Sequence, residues 1–266
     1  MKKWLAAFAL STLMSVAIAD DALRAAIAGT HRAPENVARD GARHPYETLK
    51  FFGITPTMTV IELSPGGGWY TEILAPYLRP KGQLIAAAYD PESSVKYFKK
   101  NRADFEKKIA GNPAVYDKVK LSVFEMPGKL DFMPVTQVDM VLTFRNLHNW
   151  SRNGDAAIIG AFQKVFNSLK PGGVFGIVDH RLPAAIKQDE KASSGYVHEA
   201  YAIRLAEAVG FKLAAKSEIN ANPKDTADHP EGVWTLPPSY ALKEKDREKY
   251  QAIGESDRFT LKFVKP

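Results

Sequence analysis

From residue 57 onward the chain alternates between two hydrophobic rhythms. Short apolar runs recur at Thr57–Leu63, Gln83–Tyr89, Val119–Phe124, Val138–Phe144, Gly173–Asp179, Phe211–Ile219 and Phe259–Val264. Runs of this length, bounded by Gly, Pro, Asn and Asp, predict strands. Between them, helical spacing predicts helices over Trp69–Tyr77, Ser93–Ala110, Asp155–Leu169 and Val197–Gly210, the first of them bent or ended by Pro76. Ahead of the first strand, residues 20–53 read as helical pieces at Asp21–Ala28, Glu35–Gly41 and Tyr46–Phe52, with Pro34 and Pro45 near their starts. Alternation of this kind predicts an α/β fold built on a parallel sheet with right-handed crossovers. One stretch breaks the rhythm: residues 220–257 are long, mostly polar and proline-bearing, and a connection of that length is usually functional or disordered.

The leader changes the picture first. Lys2 and Lys3 precede an apolar stretch, Trp4–Ile18, that is interrupted by Ser11, Thr12 and Ser15 and ends in Ala17-Ile18-Ala19. That is the form of a signal peptide over residues 1–19, cleaved after Ala19, rather than of a membrane span. The expected product is one domain over residues 20–266, periplasmic or secreted, with no stable membrane insertion after cleavage. The net charge is +6 and Lys2 and Lys3 supply two of those charges, so the remaining excess is modest; without a block of like charge it does not suggest a nucleic-acid partner. The absence of cysteine excludes disulfides, thiolate metal sites and a cysteine nucleophile.

The densest chemistry lies at residues 60–71, Val-Ile-Glu-Leu-Ser-Pro-Gly-Gly-Gly-Trp-Tyr-Thr. An apolar strand delivers Glu62 to its carboxyl end, and a glycine turn follows, where backbone can pass close to a ligand. In an open α/β sheet that edge is where ligands bind. A dinucleotide fingerprint would need a third small residue where Thr71 stands, and a phosphate loop would need a Lys-Ser or Lys-Thr that does not follow.

These residues carry a family resemblance. Glu62 followed by Ser64-Pro65-Gly66-Gly67-Gly68, the turn Leu169-Lys170-Pro171-Gly172-Gly173 into the fifth strand, and Asp257–Phe263 near the end resemble the class I S-adenosylmethionine-dependent methyltransferases, in particular an exported group. Ser64 stands where the family's first glycine is usual. The resemblance implies a Rossmann-like seven-stranded sheet, mostly parallel with an antiparallel last strand and helices on both faces. It implies S-adenosyl-L-methionine as cofactor and methyl transfer to a small-molecule acceptor, most readily at oxygen.

By the same resemblance, Ser64 and the Gly66, Gly67 and Gly68 turn would meet the methionine part of the cofactor, and Glu62 its ammonium. Asp90, with Glu92 as second choice, would accept the ribose hydroxyls, and Glu125 and Met126 would meet the adenine. The fourth strand runs into Phe144-Arg145-Asn146-Leu147-His148-Asn149-Trp150, which resembles the Leu-His-x-Trp segment of small-molecule O-methyltransferases. Arg145 and Asn146 would then border the cofactor and His148 would be the general base, as an imidazole titrating near neutral pH can be. Trp69 and Tyr70 either pack the helix or stack on ligand.

Asp179-His180-Arg181 ends the fifth strand on the same rim, and His198-Glu199 opens the next helix. Their spacing matches no metal motif, so no metal is expected; Arg181 is available for an acidic substrate group. Arg32, Arg39, Arg43 and Tyr46 precede the first strand, and one or two of them would close over the site. His31, His44 and His229 read as surface residues, and Trp234–Pro238 as a lid or a surface loop. Two other functions stay open: a non-catalytic exported binding protein that retains the fold, and a nicotinamide-dependent oxidoreductase.

Overall fold

The computed structural model describes residues 19–132 and 137–266. Apart from Ala19, the expected leader lies outside the described residues. Residues 19–27 form helix α1, followed by α2 (Pro34–Val37), α3 (Asp40–Arg43) and α4 (Pro45–Phe52). Then come β1 (Thr59–Leu63), α5 (Thr71–Leu78), β2 (Gln83–Ala88), α6 (Lys96–Gly111), α7 (Pro113–Tyr116), β3 (Lys120–Val123) and β4 (Val138–Phe144). The rest comprises α8 (Leu147–Trp150), α9 (Asp155–Ser168), β5 (Leu169–His180), α10 (Glu199–Glu207), β6 (Lys212–Ser217), α11 (Arg247–Ile253) and β7 (Arg258–Val264).

The seven strands form one sheet in the order β3-β2-β1-β4-β5-β7-β6. β1 to β5 run parallel, and β7 is antiparallel to both β5 and β6. This is the expected Rossmann-like arrangement with its reversed last strand, and it departs from the 3-2-1-4-5-6 order of dinucleotide-binding sheets. Val60, Ile61 and Leu63 are all fully buried because helices cover both faces, which is why the strand reads as a continuous apolar run. One face packs Ile61, Val141 and Phe175 against α9 and α10 through Phe162, Val165 and Leu205. The other packs Val60, Met140 and Leu142 against α1, α4 and α5 through Leu23, Phe52 and Leu74.

Three elements differ from the sequence expectation. β5 begins at Leu169 rather than Gly173: Val138 pairs with Leu169 and Met140 with Val174, so the Pro-Gly-Gly stretch bulges out of a continuous strand. Gly172 there has φ +76, and its N–H donates to Lys265 O at 2.8 Å. Residues 220–257 are not structureless, since they contain α11 and a turn of 3₁₀ helix at Gly232–Thr235.

The third difference is α5, which continues past Pro76 to Leu78. Proline has no N–H for the carbonyl four residues back, which is that of Glu72. His31 Nε2 donates to Glu72 O instead, at 2.7 Å. The histidine expected at the surface thus repairs the bond that proline removes.

Gly176 in β5 and Gly160 in α9 give opposite tests of this packing. A Cβ at Gly176 would sit 2.6 Å from Leu142 Cδ2 and 2.8 Å from the Phe52 ring, whereas at Gly160 it meets nothing within 4 Å. Gly176→Ala is therefore expected to cost about 1–3 kcal/mol through overpacking. Gly160→Ala should add about 0.5–1 kcal/mol through helix propensity. Urea unfolding of both variants checks the pair, and a Gly176→Ala protein as stable as the parent contradicts it.

Candidate active site

The sheet's order parts at β1 and β4: the chain leaves β1 for α5 and β2 on one side, and leaves β4 for α8, α9 and β5 on the other. A crevice opens beyond such a switch point. Both strands turn sharply there. Ser64 follows β1 at φ 50 and Arg145 follows β4 at φ 62, left-handed conformations that a side chain disfavours. Asn146 holds the two ends together. Its Nδ2 donates to Leu63 O and Ser64 O, each at 3.2 Å, and to Thr143 Oγ1 at 3.0 Å.

A cavity of about 350 Å³ lies over this crevice, lined among others by Gly66, Gly67, Arg145, His148, His180 and Trp234. A second, of about 530 Å³, is lined by Phe98, Phe124, Met126 and Trp150 and shares Ser64, Tyr89, Tyr97, Asn149 and Trp234 with the first. Tyr89 and Phe98 stack in its wall with centroids 4.1 Å apart.

Glu62 lies under the glycine turn, 2% exposed. Thr71 Oγ1 donates to its Oε2 at 2.6 Å, and Oε1 has no partner among the described residues. Burial pushes the carboxyl up to about 7, against the smaller pull of Thr71 and Lys108. Above it, Gly66 has φ +57, and neither Gly66 nor Gly67 has anything within 4 Å of where a Cβ would lie, so that space belongs to the cavity. Gly68 serves the fold instead: it has φ +80, and a Cβ would press on Phe105 at 3.1 Å. The buried Ser64 Oγ has no partner.

On the opposite wall, His148 is 4% exposed. Its Nδ1 donates to Asp179 Oδ1 at 2.8 Å and its backbone N–H to Asp179 Oδ2 at 3.1 Å. Asp179 is fully buried and also accepts the His180 N–H at 2.7 Å. Three N–H donors thus converge on this carboxylate, which fixes the imidazole and leaves Nε2 as the ring's basic atom. His180 stands 5.0 Å from His148, ring to ring, and its Nδ1 meets Ser256 Oγ at 2.5 Å. Burial, with neighbouring cations, holds His180 well below the usual imidazole range, so it is neutral.

Of the expected site residues, Ser64, Gly66, Gly67, Arg145, Asn146 and His148 line the first cavity and Met126 the second. Glu62, Gly68, Asp90 and Glu125 line neither. Asp90 Oδ1 accepts the Glu92 N–H at 2.8 Å, and Oδ2 pairs with Lys129. Glu125 accepts from Ser93 Oγ at 2.9 Å and from the Asp90 N–H at 3.2 Å. Tyr70 packs on Phe144, centroids 3.5 Å apart, while Trp69 lines the cavity.

Arg181 is not available to a substrate, since its guanidinium is spent on Asp257 at 2.8 Å and Glu218 at 2.7 Å. His229 is not a surface residue, since its side chain is 5% exposed and bonded to Asp225 at 2.8 Å. Among the described residues, His148, Asp179 and His180 are the one group that gathers three metal-capable atoms within 4.8 Å, and His198 and Glu199 are not part of it. The sequence reading missed Glu255 and Ser256, and did not pair Asp179 with His148. The pairing had a signal, because Asp179 lies at the end of β5 and His148 shortly after the end of β4, its neighbour in the sheet.

No family model matches the chain, and no curated protein does. Solved structures match over most of it. A SAM-dependent methyltransferase from Aquifex aeolicus aligns with a TM-score of 0.57 at 16% identity, over 86% of this chain and 93% of that one. The glycopeptide N-methyltransferase MtfA, complexed with S-adenosyl-L-homocysteine, aligns at 0.54 and 17% identity, over 85% and 90%. The mitomycin 7-O-methyltransferase MmcR aligns at 0.53 and 11% identity, over 86% of this chain and 55% of that one. The fold is that of the class I S-adenosylmethionine-dependent methyltransferases. Identities this low carry the fold and no further.

The state of Glu62 is testable without any ligand. Its folded value of about 7 exceeds the ordinary 4.5, so the folded protein keeps a proton that the unfolded chain releases between those values. The Glu62 contribution to stability is therefore expected to fall by up to ~3 kcal/mol as pH rises from 4.5 to 7, while the buried neutral His180 contributes with the opposite sign in parent and variant alike. Glu62→Gln should flatten that slope. Urea unfolding of parent and variant at pH 5 and pH 7.5 checks it, and the same pH dependence in both proteins refutes it.

Proposed function

We propose that the protein transfers a methyl group from S-adenosylmethionine to a small-molecule acceptor at oxygen, with His148 taking the acceptor's proton. What carries the reading is the pairing of two half-sites across one crevice, the Ser64–Gly67 turn that follows the buried Glu62 of β1 and the Asp179-oriented His148 after β4.

The cradle suits the cofactor's polar end. Glu62 is a buried carboxyl whose Oε1 gains from a cation, the glycines that follow it leave open space, and Ser64 Oγ awaits a partner. The second cavity, walled by Tyr89, Phe98, Phe124 and Trp150, suits a flat aromatic ring. Asp90, one turn past β2, reaches a ribose only by leaving Lys129, and Glu125 meets an adenine only by loosening Ser93.

The bound cofactor supplies a methyl group on a sulfonium, activated without help from the protein. The chain's own part is to hold the acceptor hydroxyl against His148 Nε2, which receives the proton as the oxygen–methyl bond forms. Asp179 keeps Nδ1 protonated and stabilises the imidazolium. Trp234 and the Pro237-Pro238 segment border the same space and limit water. With the leader at residues 1–19, the reading makes this an exported enzyme.

Calorimetric titration with S-adenosylmethionine and S-adenosylhomocysteine tests the cofactor. Binding of both is expected, with loss in Gly67→Asp, whose carboxylate would enter the cavity beside Glu62. His148→Gln should keep the affinity and lose about 10²–10⁴-fold in turnover of any acceptor found by screening. A well-folded protein that binds neither compound overturns the reading and favours a non-catalytic binding protein.

A further inference from the structure

The wall of the cavity facing β5 and β7 is crowded with positive charge. Arg39 and Arg43, flanking α3, meet Glu255, which precedes β7: Arg39 Nε donates to Oε1 at 2.5 Å and Arg43 Nε to Oε2 at 3.2 Å. Arg258 Nη1 also donates to Oε2 at 3.2 Å, and its Nη2 to Ala42 O at 2.6 Å. Arg145 borders the same space, and its side chain makes no hydrogen bond to a described residue. Three guanidiniums thus share one carboxylate with a fourth nearby, and among the described residues Glu255 is the only acid lining this cavity.

The donors are not used up. Arg43 is 1% exposed, yet Nη1 and Nη2 both lack partners, and so does the buried Nη2 of Arg39. An unpaired N–H donor out of water costs about 1–3 kcal/mol, and more on a charged group. Burial, reinforced by Arg145, holds the Arg43 guanidinium well below its ordinary range, as expected of a cation short of counter-charge. For Glu255, burial acts to raise the carboxyl, but Arg43, Arg258 and Arg39 overcome it and bring it down to about 2. The fold therefore supplies one anion here and leaves room and donors for another.

We propose that Arg39, Arg43 and Arg145 form an oxyanion subsite, and that the methyl acceptor carries a carboxylate or phosphate group which this subsite holds. The assignment of the occupant as the acceptor rests on the methyl-transfer reading, whereas the subsite itself does not. Placement favours the acceptor over the cofactor's own carboxylate. Arg145 follows β4, His180 ends β5 and Glu255 precedes β7, on the other side of β1 from the aromatic cavity beside β2, and Arg43 reaches back from there to Trp69 beside the glycine turn. His148 stands next to His180, so an acid gripped by the arginines would put the rest of the acceptor within reach of the proposed base.

The test titrates the whole protein, free and saturated with S-adenosylhomocysteine, with three probes: 4-hydroxybenzoate, its neutral counterpart 4-hydroxybenzyl alcohol, and inorganic phosphate. An anion is expected to bind at least about tenfold more tightly than the alcohol, the worth of one or two charge-assisted hydrogen bonds. Arg145→Gln should abolish that preference without any loss of S-adenosylhomocysteine affinity that 5′-methylthioadenosine does not share. The Arg145 side chain makes no hydrogen bond to a described residue, and Gln keeps the backbone bond to Val178 O, so this variant avoids the packing role of Arg43 over Trp69. Binding of no anion in either state of the protein, or anion binding unchanged in Arg145→Gln, overturns the proposal. So does a tenfold loss of S-adenosylhomocysteine with no change for 5′-methylthioadenosine, which lacks the carboxylate, because the arginines would then serve the cofactor. If anions bind but S-adenosylhomocysteine does not, the subsite stands and the methyl-transfer reading falls.

Discussion

The site depends on a short splice between two strand ends. Where β1 and β4 part, backbone groups at the split lose the neighbouring strand that would satisfy them, and a buried carbonyl without a donor is costly. The Asn146 amide bridges the gap to Leu63, Ser64 and Thr143. Two residues hold left-handed backbone beside it, at about 1–3 kcal/mol each by the usual scale of such strain. They are retained because they turn the chain at once, which aims Gly66 and Gly67 from one strand and Arg145 and His148 from the other into the same space. Move the splice and both halves of the cavity move with it.

Charge divides that space unevenly. On the β1 side there is a carboxyl that burial has made reluctant to ionise, with one oxygen still free. On the β4–β7 side, guanidiniums outnumber their internal counter-ion. Neither arrangement is favourable in an empty protein, since buried charge without a partner costs more than a surface ion pair returns. Both become favourable when a ligand of the opposite sign arrives at each end. Between them lies the hydrogen-bonded set of His148, Asp179 and His180, in which the buried Asp179 carboxylate gathers the donors of both histidines.

Much of this was legible in the chain. Parallel strands covered on both faces announce themselves as apolar runs, so Thr59–Leu63 and Val138–Phe144 were found nearly to the residue, and residues that follow such strands, Gly67 and His148 among them, fall on the cavity rim by topology alone. What escaped depends on side chains that meet across long separations. Glu255 sits in a segment with no periodicity, and nothing local marks it as the counter-ion of Arg39 and Arg43. Residues 220–257 read as loop because polar contacts rather than apolar stripes hold them: Asp225 alone accepts from Tyr196 Oη, His229 Nε2 and the backbone of Ala227 and Asp257. Arg181 was misjudged for the converse reason, its partners Glu218 and Asp257 being distant in sequence and adjacent in the antiparallel corner.

The repair of α5 has a consequence for inheritance. Glu72 O is satisfied by an imidazole that arrives from 41 residues earlier in the chain, and that imidazole fits only because Gly29 has no Cβ, which would lie 2.3 Å from its Cε1. Pro76, His31 and Gly29 therefore constrain one another although they share neither an element nor a periodicity. Replacing the histidine or the glycine is harmful while the proline is present, and loses that penalty once the proline gives way to a residue with its own N–H. The three positions behave as a single locus under selection, and their epistasis would be visible to a genetic screen that knew nothing of the fold.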